Sequence, residues 1–415
     1  MITKHHYHRI HPRLRGARLA GPHDFPAGSL SPAQVLTAYG FKQGQYAGAL
    51  PVKLGIGSLG GGVVQADIDN AVAAWGMAPP NLSIITAGGA VNDPTVDQDS
   101  NVENMLDLQL VSFTWWWLTG TPADVTIAFG PNANGGMKAA TAALAAAGAE
   151  VVSWSWGAAV NDWGVVERQE LSKAFAHATA NGATFFAASG DDSIDDGTTA
   201  PTADYPCADP NVWAVGGTKL LVQGGVRVGE TAWGDGRPGD EGGGGGYDPA
   251  FPTPPWQVSA LPHGEHGRGV PDTSANADPN SGWQISANGA WTVVGGTSAA
   301  SPFTAALVAV AKGFAKTLGA GLTTPAVYET PSACNDITTG SDGDPATVGW
   351  DPATGLGSPR GDAFVQVVAA YAKSEPVPAF ARAQAEPTTT PDLGPTAKLE
   401  FGDVVNLLRR SWPRT

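Results

Sequence analysis

Residues 125–157 read VTIAFGPNANGGMKAATAALAAAGAEVVSWSWG, and this stretch decides the fold. VTIAFG (125–130) is a β-branched, apolar run closed by Gly and Pro, which is how a buried strand reads. GMKAATAALAAAGA (136–149) is rich in alanine, the best helix former. VVSWSWG (151–157) returns to strand character. Strand, helix and strand in succession predict parallel strands joined by a crossover helix. The alternation continues on both sides. Upstream, Val52–Ile56 reads as a strand that runs into Gly60-Gly61-Gly62, and ADIDNAVAAWG (66–76) as a helix ended by Gly76. Further upstream, SPAQVLTAYG (31–40) opens with Ser-Pro, a cap and first-turn pair for a short helix. Downstream, VERQELSKAFAHATANG (166–182) is a helix, ATFFAASG (183–190) a strand and SAASPFTAALVAVAKGFA (298–315) a helix. The expected fold is therefore α/β, with a mostly parallel central sheet, helices on both faces, and one large domain over residues 31–375. Residues 1–30 are punctuated by Pro and Gly and are expected to form an extended arm. Residues 376–415 are read as a linker followed by a short amphipathic helix at 399–412.

Bulk composition excludes several function classes. The 415-residue chain carries a formal net charge of −15, with 23 Lys and Arg. Its pI near 4.8 argues against a nucleic-acid partner, because phosphate binding needs clustered cations. Hydrophobic residues at 42% supply a large core, and no apolar run approaches the roughly 18 residues of a membrane span. The basic, His-rich start, MITKHHYHRIHPRLRG, lacks the apolar stretch of a secretory signal. Two cysteines, Cys207 and Cys334, make no metal motif and are expected as buried free thiols.

Three further motifs carry chemistry. In Gly295-Gly296-Thr297-Ser298-Ala299-Ala300-Ser301-Pro302, glycines allow a tight turn ahead of a small-residue helix. A Ser held there has backbone N–H groups beside it to cradle an oxyanion, although an ordinary helix N-cap reads the same way. A nucleophilic Ser needs a base. The eight histidines fall in the arm or at His23, His177, His263 and His266, without the neighbours of a catalytic His. SNVENMLDLQLV (100–111) offers carboxylates instead: Glu103 and Asp107 stand at i and i+4 on one helical face. Like charges so close raise one pKa, so such a pair can share a proton, although an i, i+4 acidic pair is also common on solvated faces. Ser189-Gly190-Asp191 closes a strand at the end where open α/β sheets place their sites.

Taken in order, these motifs resemble the sedolisin (serine-carboxyl peptidase) family, whose fold is subtilisin-like. LGGGVVQADI (59–68), NVWAVGGTKL (211–220), GGGGGYDPAFPTPPWQ (242–257) and RGVPDTSANADPNSGWQI (268–285) extend the likeness over roughly residues 30–372. The resemblance implies Ser298 as nucleophile, Glu103 as base, Asp107 as its partner and Asp191 as a protonated oxyanion donor. It implies that Ser155, Trp156 and Gly157 line the substrate cleft, with Gly157 leaving its backbone open to an extended peptide. It also implies one structural Ca2+ in the stretch CNDITTGSDGDPATVGWDPATGLGSP (334–359). Its oxygen ligands would be the Asp336 and Asp351 carboxylates and the Ile337, Thr347 and Gly349 carbonyls, a set suited to a hard cation. Thr347 stands where many relatives have Gly. Asp342 and Asp344 are read as loop charges. The expected activity is acid-side serine endopeptidase action on polypeptides by a monomer. Relatives' use outside the cell implies the same here, while the missing signal leaves the cytoplasm open. Two rivals remain: a calcium-stabilised, non-catalytic peptide-binding pseudoenzyme, and a neutral subtilisin-type protease. Some relatives add a Glu to the triad before the Gly-rich turn, where this chain has Ser58.

Overall fold

The computed structural model describes residues 11–12, 15–20, 25, 27–198, 200–235, 240–262, 267–317 and 319–374. The expected C-terminal extension and five of the arm and loop histidines (His5, His6, His8, His263, His266) lie outside these, as does His23.

The elements in chain order begin with β1 (His11–Pro12), β2 (Arg15–Ala20), α1 (Pro32–Ala38), β3 (Lys53–Ser58), α2 (Gln65–Trp75) and β4 (Asn81–Thr86). They continue with α3 (Gln98–Thr119), β5 (Asp124–Phe129), α4 (Gly136–Ala146), β6 (Val151–Trp154), β7 (Trp156–Ala159), α5 (Val165–Ala180), β8 (Thr184–Ala188) and β9 (Asp204–Tyr205). Next come β10 (Val212–Gln223), β11 (Val226–Ala232), β12 (Gly246–Asp248), β13 (Arg268–Val270), β14 (Thr273–Asn276), β15 (Trp283–Ala287) and β16 (Ala290–Gly295). The described chain closes with α6 (Thr297–Ala315), α7 (Pro325–Glu329), β17 (Cys334–Asn335), β18 (Ser358–Pro359) and α8 (Gly361–Ser374). The central sheet runs β11-β10-β8-β6-β3-β5-β4, with β14 added beside β10. Every pairing in it is parallel except the β10–β11 hairpin. The arm is extended, as expected, but it is docked: β2 pairs with β16, and β1 pairs with β7.

Local chemistry explains the element ends. Ser31 caps α1 in a full capping box with Gln34, and Gly76 ends α2 at φ 63°. Two differences from the sequence reading are physical. VVSWSWG is two short strands rather than one, because the chain turns at Ser155 to place β7 against β9. α3 runs on through Trp115, Trp116 and Trp117 to Thr119, since almost its whole circumference is buried and tertiary packing overrides the weak helix propensity of aromatics. α6 packs against α3 and carries the same all-round burial. It is long and apolar enough to cross a membrane, yet 94% of that stretch is buried inside the fold, so it is a core helix. Both cysteines are buried and neither forms a disulfide.

Candidate active site

Three pieces of chain meet at the C-terminal ends of the parallel strands: the loop after β8, the turn between β6 and β7, and the start of α6. α3 brings its carboxylates to the same point. Ser298 is the second residue of α6, and the N-cap is Gly296 at φ 96°, so the bland reading of Ser298 as a helix cap does not hold. Its Oγ lies 3.4 Å from the Ser155 carbonyl, to which it donates. Ser155 in turn donates from its own Oγ to Asp107 Oδ1 at 2.7 Å, with the Ser298 carbonyl 3.3 Å away. Ser155 thus touches both the nucleophile and the acidic pair.

Glu103, Asp107, Ser155 and Ser298 are all fully buried. The solvated acidic face expected of an ordinary i, i+4 pair is therefore absent. Burial pushes the Glu103 pKa well above the usual carboxylate range, and the charges of Asp107 and Asp191 push it further, while the Ser298 and Ser155 hydroxyls pull it down. Burial likewise raises Asp107, against the Ser155 hydrogen bond. Neither Glu103 oxygen nor Asp107 Oδ2 holds a well-formed hydrogen bond. Catalytic contacts are often loose until substrate arrives, so a hydroxyl near enough to shift a pKa is near enough to bond on a small movement.

Asp191 sits at the N-terminus of α6. Its Oδ1 accepts both the Thr297 N–H and the Thr297 hydroxyl, each at 2.7 Å. The carboxyl is thus fixed beside Thr297, one residue from Ser298. Thr297, which the motif contains but which carried no assigned role, is what orients it.

The glycine turn before α2 is pinned to α3. Asn101 Oδ1 accepts the Gly62 N–H at 2.8 Å, and Asn104 donates to the Gly60 carbonyl at 3.0 Å. A Cβ on Gly61 would meet Asn101 Oδ1 at 2.7 Å, so this close approach requires glycine. The turn thereby fixes α3 within a residue or two of Glu103. Trp156 is buried against Gly60 rather than exposed to a cleft, and its Nε1 has no hydrogen-bond partner. The Ser58 hydroxyl bonds with Gly60 in its own turn. His177 lies exposed on α5, away from the site.

Of the three residues assigned to substrate, Trp156 and Gly157 both offer their backbone to a neighbouring strand. His11 pairs with Gly157 and Pro12 with Trp156, antiparallel, so the chain's own arm is laid along this edge as an added strand. A Cβ on Gly157 would strike the Asp204 carboxylate at 2.2 Å. The Ser155 side chain is buried and bonded to Asp107, while its carbonyl accepts from Ser298, the residue assigned as nucleophile.

The five residues expected to hold calcium gather around one segment. Asp336 Oδ2 accepts the Gly349 N–H at 3.1 Å, and Asp351 Oδ2 accepts the Thr347 N–H at 2.8 Å. Asp351 is buried, and that burial pushes its pKa up to about 6. A buried carboxylate within an all-oxygen donor set fits a hard cation. Asp342 departs from its reading as a loop charge. Its side chain is fully buried with its pKa pushed up to about 8 by that burial, and its carbonyl accepts the Ile194 N–H at 3.0 Å. It ties this loop to the segment following Asp191.

The subtilase family model matches residues 121–330 of the chain. Kumamolisin of Bacillus sp. (strain MN-32) is 34% identical over 390 residues, which are 88% of this chain and 68% of kumamolisin. The chain belongs to the sedolisin family of serine-carboxyl peptidases. Sedolisin of Pseudomonas sp. (strain 101) is 30% identical over 385 residues, and the chain spans 63% of its length. In three dimensions this sedolisin-family chain matches Pseudomonas sedolisin complexed with two molecules of pseudo-iodotyrostatin. The TM-score is 0.72 at 28% identity, covering 84% of this chain and 99% of that one. The subtilisin-like α/β architecture expected from sequence is thereby established.

Proposed function

We propose that this sedolisin-family chain is an acid-active serine endopeptidase acting on polypeptides, with Ser298 as nucleophile, Glu103 as general base, Asp107 as the residue that positions Glu103, and Asp191 as oxyanion donor. The observation that carries the reading is the burial of Glu103 and Asp107 together beside Ser298, with Ser155 bridging the two sides. Ser298 Oγ attacks the scissile carbonyl carbon while Glu103 takes the hydroxyl proton. Negative charge collects on the former carbonyl oxygen. Protonated Asp191 and the Ser298 N–H donate to it. The C–N bond then breaks, and Glu103 hands its proton to the departing amine. Water cleaves the acyl-enzyme by the reverse traffic, giving its proton to Glu103 and restoring Ser298. Low pH suits both ends of this scheme. It keeps a proton on Asp191, and it brings the ambient pH near a carboxylate's pKa, where such a base is efficient.

One calcium ion held by Asp336, Asp351 and the carbonyls of Ile337, Thr347 and Gly349 would neutralise the buried charge of Asp351 and brace the loop that Asp342 links to the Asp191 segment. Family membership is what favours work outside the cell. The test is peptide cleavage across pH by the wild type and by Ser298→Ala. Activity peaking below pH 6 and lost in the variant supports the reading. A peak above neutrality removes the role of protonated Asp191.

A further inference from the structure

The arm offers more than a covered edge, because one of its side chains is gripped. Beyond the Trp156–Pro12 pairing, the arm reaches Arg15, whose backbone pairs with Gly295, three residues before Ser298. Pro12 is thus held on the β7 edge, and Arg15 beside the turn that leads into α6 and Ser298. There the Arg15 guanidinium forms an ion pair with Asp192, the residue next to Asp191. Asp192 stands beside the oxyanion donor and meets a side chain that enters from an extended strand.

We propose that Asp192 forms a subsite for a basic side chain, Arg or Lys, on the substrate residue three positions beyond the one paired with Trp156, and that Arg15 fills this subsite from within the chain. The proposal rests on the peptidase reading of the site. An Arg can meet the carboxylate with two parallel hydrogen bonds, which fixes the position of the strand as well as attracting it. Both side chains keep about a third of their surface exposed, at 32% and 31%, so solvent weakens the attraction. A preference of about two- to tenfold is what such a half-screened pair supplies.

The test uses the full chain in a Ser298→Ala background, so binding is read without turnover. Two extended peptides differing only by Arg or Glu at the selected position are titrated against it at pH 5 and low salt. The Arg peptide is expected to bind about two- to tenfold more tightly, and Asp192→Lys is expected to reverse the order. Equal affinities, or an order that Asp192→Lys leaves unchanged, overturn the proposal. Because the arm competes for the same place, hydrogen exchange of residues 11–20 is the second readout. Arg15→Glu and Asp192→Lys should each lose protection there, and the two together should regain it. Single variants with unchanged protection also overturn the proposal. Failure of the wild type to cleave any peptide would defeat the peptidase reading separately, while the binding order and the charge swap would still decide the subsite.

Discussion

The molecule pairs acidic side chains in two places, and it treats them in opposite ways. Glu103 and Asp107 stand one turn apart on the buried part of α3, beside the Ser155 and Ser298 hydroxyls. Asp336 and Asp351 lie at the two ends of a loop, where Asp336 Oδ2 and both Asp351 oxygens accept backbone N–H groups from residues 347–354. In the first place burial and mutual repulsion dominate, so a proton is retained. In the second, burial also raises Asp351, to about 6, but backbone N–H donors oppose it. The difference follows from whether the backbone around the carboxyl is already spent in a helix or still open in a loop.

The largest effect that would break this contrast is on chemistry. Ser298→Ala should lower kcat at least about 10^4-fold, with the domain still folded by circular dichroism. Glu103→Gln and Asp107→Asn should each cost about 10^2- to 10^4-fold in kcat, and the double variant little more than the worse single one, if the pair acts as a unit. Simple addition of the two losses would mean that the carboxyls act independently.

Stability should separate the two regions by pH. The folded-state pKa values of Glu103 and Asp107 are raised, so their contribution is fully present below about pH 4, where the unfolded carboxyls titrate. It is lost as the pH rises through the raised folded values. Thermal melting should therefore fall between pH 4 and pH 7, and Glu103→Gln with Asp107→Asn should flatten the decline. A melting temperature that climbs over this range would contradict the buried, protonated pair.

Ser155→Ala should lower kcat about 10- to 100-fold with KM nearly unchanged, since it removes a hydrogen bond to a charged partner. It should also move the acid limb of the pH profile upward, because Asp107 loses the donor that held its pKa down. A rise in KM alone would return Ser155 to the substrate cleft. Chelation of calcium should act least on chemistry. It should lower the melting temperature by several degrees, with activity returning on re-addition of Ca2+.

Much of this was legible in the sequence, for reasons the structure makes concrete. The parallel sheet followed from the alternation around 125–157, because strands buried on both faces are apolar throughout and helices between them are not. Ser298, Glu103, Asp107 and Asp191 were legible because each sits in a short, ordered motif. The Ser155–Asp107 hydrogen bond was not legible, because the turn that points the hydroxyl inward is invisible in VVSWSWG, which reads as one strand. The burial of Asp342 was not legible either, because loop composition says nothing of what packs around a side chain. The docking of the arm had no local signal at all: β1 and β2 are held by partners 144 to 280 residues away, through backbone pairing that carries no side-chain signature.

The central claim is that two buried carboxyls serve a hydroxyl as its base. The most direct measurement is kcat/KM for one peptide substrate from pH 2 to pH 8, in the wild type and in Glu103→Gln. The account predicts a bell with its maximum below pH 6 in the wild type and, in the variant, a residual rate with no ascending acid limb. A wild-type maximum above neutrality, or a variant that keeps the wild-type profile at full rate, would contradict it.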